Sequence, residues 1–207
     1  RPKRKTRASM AKERGLEPLA DTILLQVTKE PIETLAAQYV SEEKGVADAK
    51  AAIDGAKDIL AERISEVAKY RAYIRNVTKE EGSIVSAAKD EKTESVYEMY
   101  YHHEELVRKC AGHRILALNR GEKEKILTLK IAAPEEKILR YLNKMVITRE
   151  NAVTTPVLQE VIADSYNRLI APAIEREVRN LMTEKAEDGA IKIFGKNLEQ
   201  LLMQPPI

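Results

Sequence analysis

Between Val46 and Val77 apolar residues return at a spacing that suits a helix and nothing else. Val46, Ile53, Leu60, Val67 and Ile74 recur every seven residues, and Ala49, Ala56, Tyr70 and Val77 fall three positions after four of them. In this two-position heptad template only Arg63 is charged. Read as one helix, the segment would span about 48 Å at a rise of about 1.5 Å per residue, longer than a small domain is wide. Gly55 costs such a helix about 1 kcal/mol relative to Ala, little against five first-position side chains that each contribute about 1.5–3 kcal/mol when buried.

The remaining composition agrees with helices. Hydrophobic residues make up 43% and charged residues 33% of 207 positions, a mixture rich in Glu, Lys and Arg that lies outside the range of disordered chains. Eight glycines and eight prolines leave few tight hairpin turns, which argues against an all-β sandwich. One cysteine, Cys110, permits no internal disulfide and fits a reducing compartment, so a cytoplasmic location is expected. No apolar run approaches membrane-spanning length, and the chain does not open with a secretory signal.

Glycine and proline punctuate the rest. Gly15 suits a left-handed turn between two helices in "TRASMAKERGLEPLADTILLQV", with Pro18 opening the second. That outline is a helix-turn-helix, but the second helix is mostly apolar and offers no polar face for reading bases. Pro31 opens a short helix in "PIETLAAQYV". "SIVSA" and the alternating Leu127, Leu129 and Ile131 read as strands, and "ESVYEMYY" reads as a helix. In "GHRILALNRGEKEKILTLKI" a helix from about Ala111 to Asn119 is expected to stop at Gly121. Pro134 starts another helix, Thr155 caps the next ahead of Pro156, and Pro172 is expected to break or kink the run that follows. From Ala173 to about Met203 apolar residues continue, interrupted by the weaker "TEKAEDGA". The expected architecture is a mainly α, elongated multi-helix scaffold with a long central helix and a small β element near 83–131, with sub-boundaries near 82 and 152.

Reactive constellations are scarce. His102 and His103 precede Glu104 and Glu105, but adjacent residues on a helix point about 100° apart and do not share a metal. Cys110 and His113 are close in sequence, yet nothing nearby would lower the thiol pKa. No glycine-rich phosphate loop occurs. Tyr97, Tyr100 and Tyr101 sit among Glu94, Glu98, Glu104 and Glu105, so they read as core rather than as a base-stacking surface. No catalytic residue, metal site or cofactor is expected.

The N-terminus differs from everything after it. Arg1, Lys3, Arg4, Lys5, Arg7, Lys12 and Arg14 stand against Glu13 alone, a local charge of +6 that leaves −4 for the remainder of a chain whose net charge is +2. Such a run attracts phosphate in a salt-dependent, sequence-blind way. These seven cations are the candidate nucleic-acid contacts.

Four separated strings, "PKRKTRASMAKERGLEPLAD", "GVADAKAAIDGAKDILAERIS", "GHRILALNRGEKE" and "LIAPAIEREVRNLMTEKAEDGAIKIFGKNLEQLLMQPP", together cover nearly the whole chain. In them the chain resembles the bacterial Tex-type transcription accessory proteins. The resemblance implies a helical N-terminal and central fragment of a longer protein that continues into an RNase-H-like YqgF-type domain, helix-hairpin-helix elements and an OB-fold RNA-binding domain. It implies a non-enzymatic scaffold that positions those domains, with RNA or DNA and the transcription machinery as partners of the intact protein, no membrane association and a monomeric fragment. No catalytic residue of that family maps onto these positions. An alternative reading is a protein-interaction or dimerisation module that uses the heptad helix 46–77.

Overall fold

A computed structural model describes residues 4–203, and they fold mainly as α-helix with one small sheet. In chain order the elements are α1 (Arg7–Glu13), α2 (Glu17–Leu25), α3 (Ile32–Ala37), α4 (Ala49–Glu66), α5 (Ala68–Glu81), β1 (Ser83–Ala88), β2 (His102–Leu106), α6 (Gly112–Lys123), β3 (Leu127–Ala132), α7 (Glu135–Val146), α8 (Thr154–Asp164) and α9 (Ala171–Leu202). The chain divides into two compact units, one of residues 4–73 with 135–172, the other of residues 74–134 with 173–203.

The first unit is organised around α4. Asp48 caps that helix by accepting from the Ala51 amide at 2.8 Å. Ala52, Gly55, Ala56, Ile59, Leu60, Ala61, Ile64 and Ser65 are all buried, more than one stripe of the helix, because α1, α2, α3 and α8 pack on several sides of it. Gly55 is required by this packing: a Cβ there would lie 2.3 Å from Leu16 Cδ1 and 3.3 Å from Ala11 Cβ. Small residues on both sides, Ala8 and Ala11 against Ala52, Gly55 and Ala56, bring α1 close to α4. Arg63, the charge inside the heptad, reaches out to Asp21 at 2.6 Å and Glu17 at 3.1 Å on α2.

The single helix expected over 46–77 is in fact two. At Val67 the backbone turns extended, with φ −71° and ψ 111°. Ser65 bonds back to the Glu62 carbonyl at 2.7 Å, and an Arg71 guanidinium N–H is donated to the Ser65 carbonyl at 3.2 Å, so the last turn is closed locally. The β-branched Val67 favours the extended backbone that results. Val46 lies before the helix, in a bridge with Ser41. Ala56 and Leu60 are fully buried among elements of the same chain.

Two further expectations are corrected in this unit. Thr155 is not the cap of α8 but its second residue, its Oγ1 accepting from the Asn151 amide at 2.9 Å; Asn151 Oδ1 in turn accepts from the amides of Val153 and Thr154 at 2.8 and 2.9 Å, and its Nδ2 is donated to the Thr28 carbonyl at 2.9 Å. Nor does Pro172 break the run, the first of the two outcomes expected of it: α9 starts at Ala171 and continues through the proline, and residues Ser165–Ile170 just ahead form a π-helical stretch whose wider turn makes room for the ring and the missing N–H. Ser165 Oγ donates to the Ala61 carbonyl at 2.7 Å there.

The second unit holds the sheet, in the order β2-β1-β3, antiparallel throughout. Ile84 sits opposite Glu105 on one side and Ile131 on the other. Leu127, Leu129 and Ile131 alternate with exposed residues and meet α6 through Ile115 and Leu118. The small β element expected near 83–131 is therefore present, with His102–Leu106 as its unforeseen third strand. "ESVYEMYY" forms only a short 3-10 turn, Glu98–Tyr100, and Tyr97, Tyr100 and Tyr101 are buried as expected for core residues. Gly121 does not end α6. It lies within the helix because Leu127 covers it, a Cβ there falling 2.5 Å from Leu127 Cδ1, and the reversal comes later at Lys125, with φ 64°. Helix α9 runs through "TEKAEDGA" without interruption to Leu202. Gly112 opens α6 against Ala186 of α9, where an added Cβ would meet the Ala186 Cα at 3.2 Å.

Candidate nucleic-acid interface

Of the seven cations nominated by the sequence, Arg1 and Lys3 lie outside the described residues. Arg4 and Lys5 precede α1, Arg7 lies in its first turn, Lys12 in its last, and Arg14 caps its end; all five are exposed. Thr6 and Ser9 form a reciprocal capping box, with the Ser9 amide donated to Thr6 Oγ1 at 3.0 Å and the Thr6 amide to Ser9 Oγ at 2.8 Å. The start of α1 is thereby held in place directly after Arg4 and Lys5.

The five do not converge on one point. Ala8 and Ala11 face α4, and by helical spacing Arg7 and Lys12 emerge on opposite flanks of that buried stripe. Lys5 lies 3.6 Å from Glu13. Arg7 is near Asp58, whose carboxyl pKa is raised by burial and pulled partly back by Arg168 and Arg7. Arg14 passes the left-handed turn at Gly45, and Lys44 passes the one at Gly15, so Lys44 joins this basic rim from a segment the sequence did not nominate. A diffuse rim of this kind suits backbone phosphate rather than a single bound anion.

The histidines and the cysteine are placed otherwise. His102 and His103 are neighbours on β2 and therefore point to opposite sides of the sheet, so they share no ligand for a strand's reason rather than a helix's. His102 pairs with Glu91 at 2.9 Å, and His103 packs edge-on against Tyr100. Among the described residues no group of three His, Cys, Asp or Glu is placed to hold a metal. Nor is any helix of those residues long and apolar enough to cross a membrane.

Cys110 and His113 line a groove of about 940 Å³, with Val107, Leu116, Leu181 and Ile193 supplying apolar walls. The thiol there is not activated. Burial, the hydrogen bond to Glu105 and that carboxylate's charge push the Cys110 pKa up to about 12. Burial also raises Glu105, but the hydrogen bond from Arg114, at 3.0 Å, and the one from Cys110 outweigh it and leave the carboxyl below its ordinary value. Alkylation of the folded chain by iodoacetamide at pH 8 is expected to run about 10³-fold slower than for an ordinary thiol of pKa 9.0, and normally after denaturation. Because the folded form holds the proton more tightly, this contribution to stability is complete below pH 9 and fades as pH climbs from about 9 to about 12. Alkylation of the folded chain at the denatured rate would show the thiolate to be accessible.

What these features define is a mainly α protein with a small antiparallel sheet and an exposed basic leading segment. Residues 27–194 match the family model described as Tex central region-like, and the chain belongs to that family. It is 50% identical to the YdcI protein of Bacillus subtilis over 99% of this chain and 29% of that protein's length. It is 32% identical to the Transcriptional accessory protein Tex of Neisseria gonorrhoeae over all of this chain and 28% of that protein. A human S1 RNA-binding domain-containing protein 1 is 29% identical over 98% of this chain and 21% of its own length. The chain thus spans under a third of the relatives it matches.

Proposed function

We propose that this chain is the helical scaffold portion of a transcription accessory protein that binds nucleic acid. In this reading it positions other nucleic-acid-binding domains, and its basic leading segment makes an auxiliary contact with phosphate. The role is non-catalytic, and a cytoplasmic location and contact with the transcription machinery go with it. The names of two relatives, one a transcriptional accessory protein and one an S1 RNA-binding domain-containing protein, support the assignment to this process. The observation that carries the phosphate contact is the exposure of Arg4, Lys5, Arg7, Lys12 and Arg14 around a firmly capped α1.

Fluorescence anisotropy with labelled RNA and duplex DNA tests it. Reversing Arg4 and Lys5 to Glu is expected to weaken binding and to reduce the slope of log K against log salt by about 1.4 for a single strand, two phosphate contacts' worth. An unchanged affinity and slope would remove the contact.

A further inference from the structure

The chain has eight tyrosines and no tryptophan, and three of the tyrosines come together in the first unit. Tyr73 of α5 stacks on Tyr141 of α7 with centroids 3.7 Å apart and rings 15° from parallel, and Tyr70 meets Tyr141 edge-on at 6.1 Å. Unlike Tyr97, Tyr100 and Tyr101, all three are only half-buried. Their helices are basic where the rings emerge. On α7, Lys137, Arg140, Tyr141 and Lys144 fall within an arc of about 100°, away from the buried stripe of Ile138, Leu142 and Val146. On α5, Lys69 lies one turn before Tyr73. Lys69, Lys137, Arg140 and Lys144 are all exposed. The nearest acids in sequence are Glu66, beyond the break at Val67, and Glu135 and Glu136, in the first turn of α7.

We propose that Tyr70, Tyr73 and Tyr141, with the cations around them, form a stacking platform for single-stranded nucleic acid. The platform shares no residue with the leading segment and does not depend on it. Cations along a groove hold the phosphate chain, and aromatic faces take bases of any sequence, the two needs of an unpaired strand. A duplex, whose bases are already stacked, uses only the charges. Mutual stacking holds the rings in one arrangement, so an arriving base does not have to immobilise them. An acidic peptide would match the cations but leave the aromatic faces idle.

The test is anisotropy of the chain with labelled oligouridylate and oligothymidylate of about 12 nucleotides, within the usual site size for such surfaces, and with a duplex of the same length. Arg140→Glu with Lys144→Glu, both at exposed positions, is expected to lower affinity for either single strand about tenfold and to reduce the salt slope by about 1.4. Tyr141→Phe, which keeps the ring, should stay close to the parent. Tyr141→Leu should lose about fivefold with the salt slope unchanged, a signature that mere loss of charge or of fold does not give. Unchanged affinity in the Arg140/Lys144 variant overturns the platform even if the Arg4/Lys5 reversal abolishes binding, and the reverse pattern leaves it standing. Duplex bound as tightly as the single strands, or a glutamate-rich peptide competing as well as they do, also overturns it.

Discussion

Replacing Gln26 with Leu is expected to lower the stability of the first unit by about 3–5 kcal/mol, because each buried polar group stripped of its partner costs about 1–3 kcal/mol. Gln26 is 3% exposed and adopts a left-handed backbone, φ 60°, at the end of α2. Its side-chain amide donates to the Val146 carbonyl at 2.9 Å and the Leu24 carbonyl at 3.1 Å, while its Oε1 accepts from the amides of Thr148 and Arg149 at 3.1 and 3.3 Å. One polar residue thus closes the end of α2 onto the segment that leaves α7. Leucine has similar volume but no way to serve any of those groups. Urea denaturation followed by circular dichroism measures the effect, and a loss below about 1 kcal/mol would mean that water replaces the amide.

Leu60→Glu is expected to abolish cooperative folding of the first unit rather than to separate a dimer. Leu60 is fully buried among elements of its own chain, and an ionised carboxylate taken out of water there carries a large desolvation penalty. Leu60→Ala, which only leaves a cavity, should cost about 2–5 kcal/mol and keep the fold. Sedimentation of the parent and circular dichroism of both variants distinguish the cases. A folded Leu60→Glu chain that merely changed from two copies to one would place the heptad at an interface after all.

How far the sequence could be read depended on which force decided each element. The heptad of 46–77 reported burial only in part, since Val46, Ala56, Leu60 and Ile74 are buried but Ile53, Val67, Tyr70 and Val77 only half so, and burial says nothing about continuity. The interruption at Val67 comes from a hydroxyl and a guanidinium competing for the last carbonyls, and no period records that. Gly121 as a stop and Pro172 as a break were misleading for a related reason, since such effects are weak priors. Leu127 packed over the glycine and a widened turn ahead of the proline outweighed them. The β element was legible because alternation at Leu127, Leu129 and Ile131 reflects one buried face, whereas "HHEEL" lacks that alternation and is a strand only because β1 pairs with it.

The candidate interface was legible as a charge run and no further. Exposure of Arg4, Lys5, Arg7, Lys12 and Arg14 follows from composition, but their division about the Ala8 and Ala11 stripe, and the arrival of Lys44, follow from packing. Tyr70 read as one more heptad position, and Tyr141 fell within the helix expected after Pro134. A signal was present in Lys69, four residues before Tyr73, and in Lys137 and Lys144, four before and three after Tyr141, but only the fold brings the rings themselves together.

The meeting of Gly112 with Ala186 bears on the groove beside it. The gap between the start of α6 and α9 is set there by one hydrogen and one methyl, so part of the wall of a cavity of about 940 Å³ is made by the smallest residues available. Any side chain larger than these acts as a spacer that pries the two helices apart and redraws the walls at Leu116 and Leu181 without touching either. The shape of that hollow is therefore governed by atoms that are missing from its edge.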